Sequence, residues 1–401
     1  MRILFLTSRI PYPPVRGDKV RTWNFLSALA SRHDVLLVSF TEGPGDEDGV
    51  REVSRVAAVE TVRLSRARSY ANMGFSLLSP LPYQVLYYRS LAMQRVVDRV
   101  LRAHRFDLAY VHLFRMAPFA LAAGLAPSAP DREGPATALD LTDAISVEMS
   151  LSLPRKSAVM RPAYAWECRK IRRYEAVTAA LFDEAWTISE SDREAIVALA
   201  PTADVRVVPN GVDPALFLSP GAAPGGPVLF VGNFDVPHNA DAAVHLARNV
   251  MPLVRADLAG AVLRLVGHGA LEKLGLGGAG GLVETVGFVP RLADAYAGAS
   301  VFAAPLRFAA GIQNKILEAM AAGLPVVTTP PGNRGLGAAD GDEILVRDAP
   351  REFAAAVSQL LRDPDGARRM GERGRAFVRS RFSWSAVVDR AEALVAGRSA
   401  R

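Results

Sequence analysis

Short apolar runs alternate with amphipathic stretches along the whole chain, and the alternation predicts its elements. Ile3–Thr7, Val35–Phe40, Val59–Leu64, Asp107–Val111, Ala136–Leu141, Glu184–Ile188 and Val205–Val208 read as strands. They are short, rich in Val, Ile and Leu, and bounded by Gly, Pro, Asn or Asp. Between them, Lys19–Ala30, Leu91–His104, Arg161–Leu181 and Ser189–Leu199 carry helical periodicity, with Asp18 placed to cap the first. The second half restarts the rhythm. Val228–Val231, Ala261–Val266, Val283–Val286, Val301–Ala304 and Glu343–Val346 read as strands, and His238–Val250, Arg351–Leu361, Pro364–Val378 and Trp384–Val395 as helices. Strands alternating with helices predict α/β architecture with doubly wound parallel sheets, here twice. The clearest break in composition is SPGAAPGGP at Ser219–Pro227. The expected division is an N-terminal Rossmann-like domain at 1–210, a linker at 211–227, a C-terminal Rossmann-like domain at 228–382 and a last helix at 383–401 returning to the first domain. Two such domains face each other across a cleft, a favoured ligand site.

One stretch stands out, LRFAAGIQNKILEAMAAGLPVVTT at Leu306–Thr329. It reads as loop, helix, tight turn and strand, with Gly311 freeing the chain before the helix and Gly323 and Pro325 ending it. At about 100° per residue, Gly311, Asn314, Lys315, Glu318 and Ala322 share one stripe while Ile312, Ile316 and Met320 share another. A helix start offers unpaired N–H groups and about half a positive charge, which suits a phosphate. Lys315 adds a full charge. Glu318, about 10 Å along the axis, suits paired sugar hydroxyls. These residues fit a nucleoside diphosphate lying along the helix. The plainer alternative is an exposed Lys315–Glu318 pair on a solvated face.

Composition narrows the field. The chain has 401 residues, half of them apolar, which is enough for two or three domains and rules against gross disorder. Its one cysteine, Cys168, cannot form an intrachain disulfide. The start, MRILFLTSRIPYPP, lacks the long apolar run of a signal peptide, and no stretch approaches the roughly 20 apolar residues of a membrane span. The chain reads as cytosolic, or peripheral on the inner face of the cytoplasmic membrane. The formal charge is +6, with arginines grouped at Arg51–Arg68 and Arg155–Arg173. Such patches meet anionic lipid or phosphorylated substrates, or are simply solvated surface. Zinc-finger spacing and the aromatic–basic motifs of RNA binders are missing, which argues against nucleic acid. The first loop is not GxGxxG, so a dinucleotide is poorly supported. The amphipathic Leu91–His104 either lies on a membrane surface or packs on a sheet.

In open α/β sheets ligands bind beyond the carboxyl ends of the strands. That rule places Gly17, Asp18, His112 and Asp140 at one crevice. His112 is alternatively a hydrogen-bonded core histidine. Asp140 and Asp143 either cap the next turn or form a weak metal candidate.

Several motifs resemble glycosyltransferase family 4, which has the GT-B fold. They are PNGVD at Pro209–Asp213, GFVP at Gly287–Pro290 and GIQNKILEAMAAGLPVV from Gly311. LFLTSRIPYPPVRGDKVRTWNFLSAL near the start and VGNFDVPHNADAAVHLARNVMP at Val231–Pro252 are similar to the exosortase-associated (PEP-CTERM) sugar transferases of exopolysaccharide loci. The resemblance implies retaining transfer of a sugar from a nucleotide donor to an acceptor hydroxyl, such as that of a lipid-linked oligosaccharide; if the helix start and Lys315 neutralise the diphosphate, neither a metal nor another cofactor is expected. Lys315, His112 and Glu318 would be the catalytic group. Donor contacts would come from Gly232 and Asn233, from Gly287, Phe288 and Val289, and from Gly311, Ile312, Gln313 and Asn314. Acceptor contacts would come from Gly17, Asp18, Arg21 and Asp140. The first glutamate of the family's paired-glutamate motif falls at Ala310, so neutralising the diphosphate falls to Lys315, with Arg307 or Arg291. A GT-B epimerase or nucleotide-sugar hydrolase, and a non-catalytic nucleotide-sugar-binding scaffold, remain the alternatives.

Overall fold

Seven parallel strands form the first sheet of the computed structural model: β1 (Arg2–Thr7), β2 (Asp34–Thr41), β3 (Ala58–Arg63), β4 (Leu108–His112), β5 (Ala136–Thr142), β6 (Glu184–Thr187) and β7 (Val205–Val207). Their spatial order is β3-β2-β1-β4-β5-β6-β7. Chain direction across the sheet reverses between β1 and β4, which is the topological switch point where ligands bind in such sheets. Ile3, Leu4, Phe5 and Leu6 of β1 are all fully buried, because helices cover both faces. The register pairs Phe5 with Tyr110 and His112 with Asp140, bringing the ends of β4 and β5 level.

The second sheet contains β8 (Val228–Val231), β9 (Leu263–Val266), β10 (Val283–Val286), β11 (Val301–Ala304), β12 (Val326–Thr328) and β13 (Leu345–Val346). Its order is β10-β9-β8-β11-β12-β13, again all parallel. Its switch point lies between β8 and β11. The structure describes residues 1–14, 17–74, 76, 78–125, 134–153, 156–269, 274–276, 282–309 and 311–399. Ala310 and Arg155 lie outside the described residues.

The chain divides into two compact units, residues 1–210 with 387–401, and residues 211–386. Residues 211–227, expected as a linker, are built into the second unit. Val212 N–H donates to the Phe382 carbonyl, Leu216 is buried in the second core, and Arg375 Nη2 donates to the Ser219 carbonyl at 2.7 Å. Val387–Arg401 is grouped with the first unit, where Glu392 meets His33 at 2.9 Å.

Other expectations shift. The first helix starts at Gly17, so Asp18 sits inside its first turn and is not its cap. The helix expected to end at Val250 continues. A wide π-helical turn at Leu246–Val250 joins Pro237–His245 to Met251–Asp257, and Pro252 falls in the first turn of the latter, where its missing N–H costs nothing. The Leu91–Ala103 helix buries Met93, Val97 and Val100 in the first core, so its apolar face is committed to the sheet. Among the described residues, no helix is long and apolar enough to cross a membrane.

Candidate functional site

In the second unit, the loops after β8 and β11 leave the sheet on either side of its switch point. The loop after β11 ends in the helix Asn314–Ala321, with Gln313 at its N-cap. Gly311 has φ +62°, a left-handed conformation that L side chains rarely adopt, and this bends the chain into the helix. Buried Ile316, Leu317 and Met320 fix the helix against the core and turn Lys315 and Glu318 the other way.

Lys315 and Glu318 are both half-buried, which corrects the picture of a solvated pair. Lys315 Nζ donates to Gln313 Oε1 at 2.9 Å, and among the described residues it forms no ion pair. Burial pulls its ammonium down to about 8, with Glu318 opposing the shift. Burial raises the Glu318 carboxyl, opposed by the hydroxyl of Tyr296, which donates to Glu318 Oε2 at 2.6 Å, and by Lys315. That hydroxyl is also 3.3 Å from the Lys315 carbonyl. Tyr296 therefore orients the Glu318 carboxylate. Sequence reasoning missed Tyr296, because nothing in its local pattern marks it as facing a carboxylate on a different element.

Gly232 and Asn233 follow β8 directly, and the loop is clamped by its neighbour after β9. Phe234 N–H donates to the His268 carbonyl at 2.7 Å, and a Cβ on Gly267 would meet the Gly232 carbonyl oxygen at 1.9 Å. Asn239 Nδ2 donates to the Asn233 carbonyl at 2.9 Å. His238, also missed, opens the following helix. Its imidazole is pulled down by burial and by the Lys315 charge, so it lies within electrostatic range of the lysine. Gly287, Phe288 and Val289 follow β10 at the same carboxyl edge. Phe288 is 73% exposed, and Val289 packs partly on the core. Arg307 and Arg291, expected to help Lys315, are already paired. Arg307 is bidentate on Asp241 and Arg291 on Asp294. Of these three cations, only Lys315 has no ion-pair partner among the described residues.

In the first unit, His112 ends β4 and Asp140 lies near the end of β5. Arg21 and Asp140, expected at the acceptor, are both 0% exposed and face each other. Arg21 Nε donates to Asp140 Oδ2 at 2.6 Å, and its Nη1 donates to the Pro209 carbonyl and to Asn210 Oδ1 at 3.2 and 3.0 Å. Tyr110 donates a very short hydrogen bond to the same Asp140 oxygen. Burial alone would raise the Asp140 carboxyl, but the Arg21 guanidinium holds it well below the usual carboxylate range. The pair is thus a buried ion pair at the strand ends, and Pro209 and Asn210 are anchored to it.

His112 Nδ1 is 3.8 Å from Asp140 Oδ2, beyond hydrogen-bond reach. Both ring nitrogens are buried, with no partner among the described residues. Asp140 still faces the ring and opposes the effect of burial on it. Burial lowers its pKa, which favours the neutral ring, one that can accept as well as donate. Leu113 and Thr142, just beyond, adopt φ +69° and +65°, strained for non-glycine residues and concentrated at these two strand ends. Gly17 begins the first helix, while Asp18 turns toward Arg9 and Arg115, at 3.5 and 3.8 Å.

Residues 16–211 match the family described as "Glycosyl transferase 4-like domain", and residues 226–363 match "Glycosyl transferases group 1". A phosphatidyl-myo-inositol mannosyltransferase of Mycobacterium tuberculosis is 30% identical over 201 residues, 46% of this chain and 52% of the relative. The chain thus spans about half the length of the curated relatives it matches. Among solved structures, sucrose-phosphate synthase from Thermosynechococcus elongatus is similar at TM-score 0.59 and 16% identity, covering 100% of this chain and 99% of that one. Anabaena HepE, solved with UDP and glucose, is similar at TM-score 0.58 and 16% identity, covering 99% and 100%. Both sheets have the parallel, doubly wound order expected of the GT-B fold, and the two family matches together take in most of the chain: it belongs to the family 4-like glycosyltransferases.

Proposed function

We propose that this chain transfers a sugar, with retention, from a nucleoside-diphosphate sugar to an acceptor hydroxyl. The observation that carries the reading is the start of the Asn314–Ala321 helix. There a half-buried lysine without an ion-pair partner among the described residues stands beside free helix N–H groups at a switch point. Negative charge developing on the departing diphosphate meets donors already in place, so little reorganisation accompanies the step. Glu318, oriented by Tyr296, accepts from the ribose hydroxyls. His112 and the loop at Gly17 and Asp18 belong to the sugar and acceptor side. The lysine and helix neutralise the diphosphate, so the reading calls for no metal, and turnover in EDTA should equal turnover in magnesium. The similarity of the opening and Val231–Pro252 stretches to exosortase-associated transferases supports a lipid-linked acceptor in exopolysaccharide assembly. The basic surface supports working at an anionic membrane face.

The direct test is thermal unfolding with UDP, GDP, ADP and dTDP. A nucleotide at about 100 times its Kd should stabilise by about 2.7 kcal/mol. Glu318→Ala should abolish the shift for the one base that gives it. If no nucleotide moves the transition, the donor site is wrongly assigned.

The Lys315 ammonium titrates near 8 against an ordinary 10.5. Two opposite pH trends follow. Nucleotide affinity should fall as pH rises through about 8, because the binding form is the cation. Stability of the free protein should rise between about 8 and 10.5, because there the unfolded chain holds the proton that the folded one has released. Titrating UDP or GDP from pH 7 to 9 checks this, and Lys315→Met should flatten the profile.

A further inference from the structure

A cavity of about 400 Å³ in the first unit has a lining that the site described above uses only at Arg115. Leu81, Val85, Leu91, Pro118, Phe119 and Ala122 form most of its wall, and Tyr174 adds a phenol that burial keeps neutral. Its size is that of a small-molecule site. It opens at the surface, since Leu91 in its wall is 72% exposed. Its charged lining groups are Arg89 and Arg115, and among the described residues it has no carboxylate. Arg89 forms no ion pair among those residues.

Arg115 belongs to two places at once. It lines the cavity and stacks on Tyr88, with its guanidinium carbon 5.2 Å from the ring centroid. Its Nε donates to Ser8 Oγ at 3.0 Å, just past the carboxyl end of β1, and Nη1 donates to Gln84 Oε1 at 3.2 Å. Its Nη2 shares Asp18 Oδ2 with Arg9. An apolar cavity therefore runs up to a cationic boundary, and across that boundary lies the crevice assigned to the acceptor. An amphiphile matches this order of chemistry, hydrocarbon in the cavity and anion at the arginines.

We propose that this cavity holds the hydrocarbon chain of a lipid phosphate acceptor, with Arg115 and Arg89 meeting the phosphate and the acceptor hydroxyl presented beyond β1. This rests on the glycosyl-transfer reading and gives its acceptor a chemical class. Burial of the chain supplies affinity, and the arginines set its direction along the cavity.

The probe is farnesyl phosphate, titrated calorimetrically into the full chain below its micelle concentration. Ala122→Trp fills the cavity from an exposed position, and Arg89→Glu reverses the free charge at its rim. Binding to the wild type, weakened at least tenfold by Ala122→Trp and several-fold by Arg89→Glu, with farnesol and inorganic phosphate each binding far more weakly, is the expected result. Equal binding to wild type and Ala122→Trp would overturn the cavity assignment. Farnesol binding as tightly as its phosphate would overturn the role of the arginines. Nucleotide thermal shifts on the same samples show that each variant is folded and keep the two readings apart. A nucleotide shift without lipid binding overturns only the lipid cavity. Lipid binding without a nucleotide shift upholds the cavity and removes the transfer reading.

Discussion

Lys315→Ala is expected to lower kcat about a hundredfold to a thousandfold, the usual loss when one preorganised group facing developing charge is removed. Lys315 lies in the first turn of the helix without an ion-pair partner among the described residues, whereas Arg307 and Arg291 are each bidentate on Asp241 and Asp294. Its effect should fall on kcat more than on KM, because charge on the diphosphate grows as the glycosidic bond breaks. Partial burial strengthens the interaction relative to water and explains the depressed ammonium. Lys315→Arg should recover part of the rate. A wild-type kcat in Lys315→Ala, measured with saturating donor, would remove the lysine from the chemistry and leave the helix dipole alone to serve the leaving group.

Asp140→Ala should cost about 3–5 kcal/mol of stability in urea unfolding, the range for removing one partner of a buried ion pair. Both side chains are 0% exposed, so the orphaned Arg21 guanidinium cannot reach water without rearranging the strand ends. Tyr110 loses its acceptor at the same time, and Thr142 loses the Oδ1 that accepts its N–H at 3.0 Å. Removing both charges should cost less than removing one, so Arg21→Met with Asp140→Leu is expected to be more stable than Asp140→Ala. A loss under 1 kcal/mol for Asp140→Ala would mean that the pair is hydrated rather than buried.

Much of the architecture was legible along the chain. Runs such as Ile3–Thr7 and Val301–Ala304 are uniformly apolar because their strands are covered on both faces, and a continuous run is a local signal. The helix after Gly311 was equally plain, since its apolar stripe, its glycine and its Lys315–Glu318 face lie within a few turns. Those features set the class of fold and the family.

Tertiary structure decided the partners. The chain shows Asp140 as one carboxylate after one strand. Only the fold brings it to Arg21 and Tyr110, 119 and 30 residues away respectively, and so places an expected acceptor ligand in a buried ion pair. Tyr296 reaches Glu318 across 22 residues, and Asp241 reaches Arg307 across 66. Residues 211–227 look like a linker by composition, yet they are knitted to Phe382 and Arg375 by hydrogen bonds that no local pattern announces. The physical reason is common to all of these. Periodicity and turn chemistry report what a residue does to its own backbone and nearest neighbours, and that is written in adjacent positions. Pairing of buried polar groups is settled by which strand ends the topology makes level, and their pKa values follow from that burial and those partners.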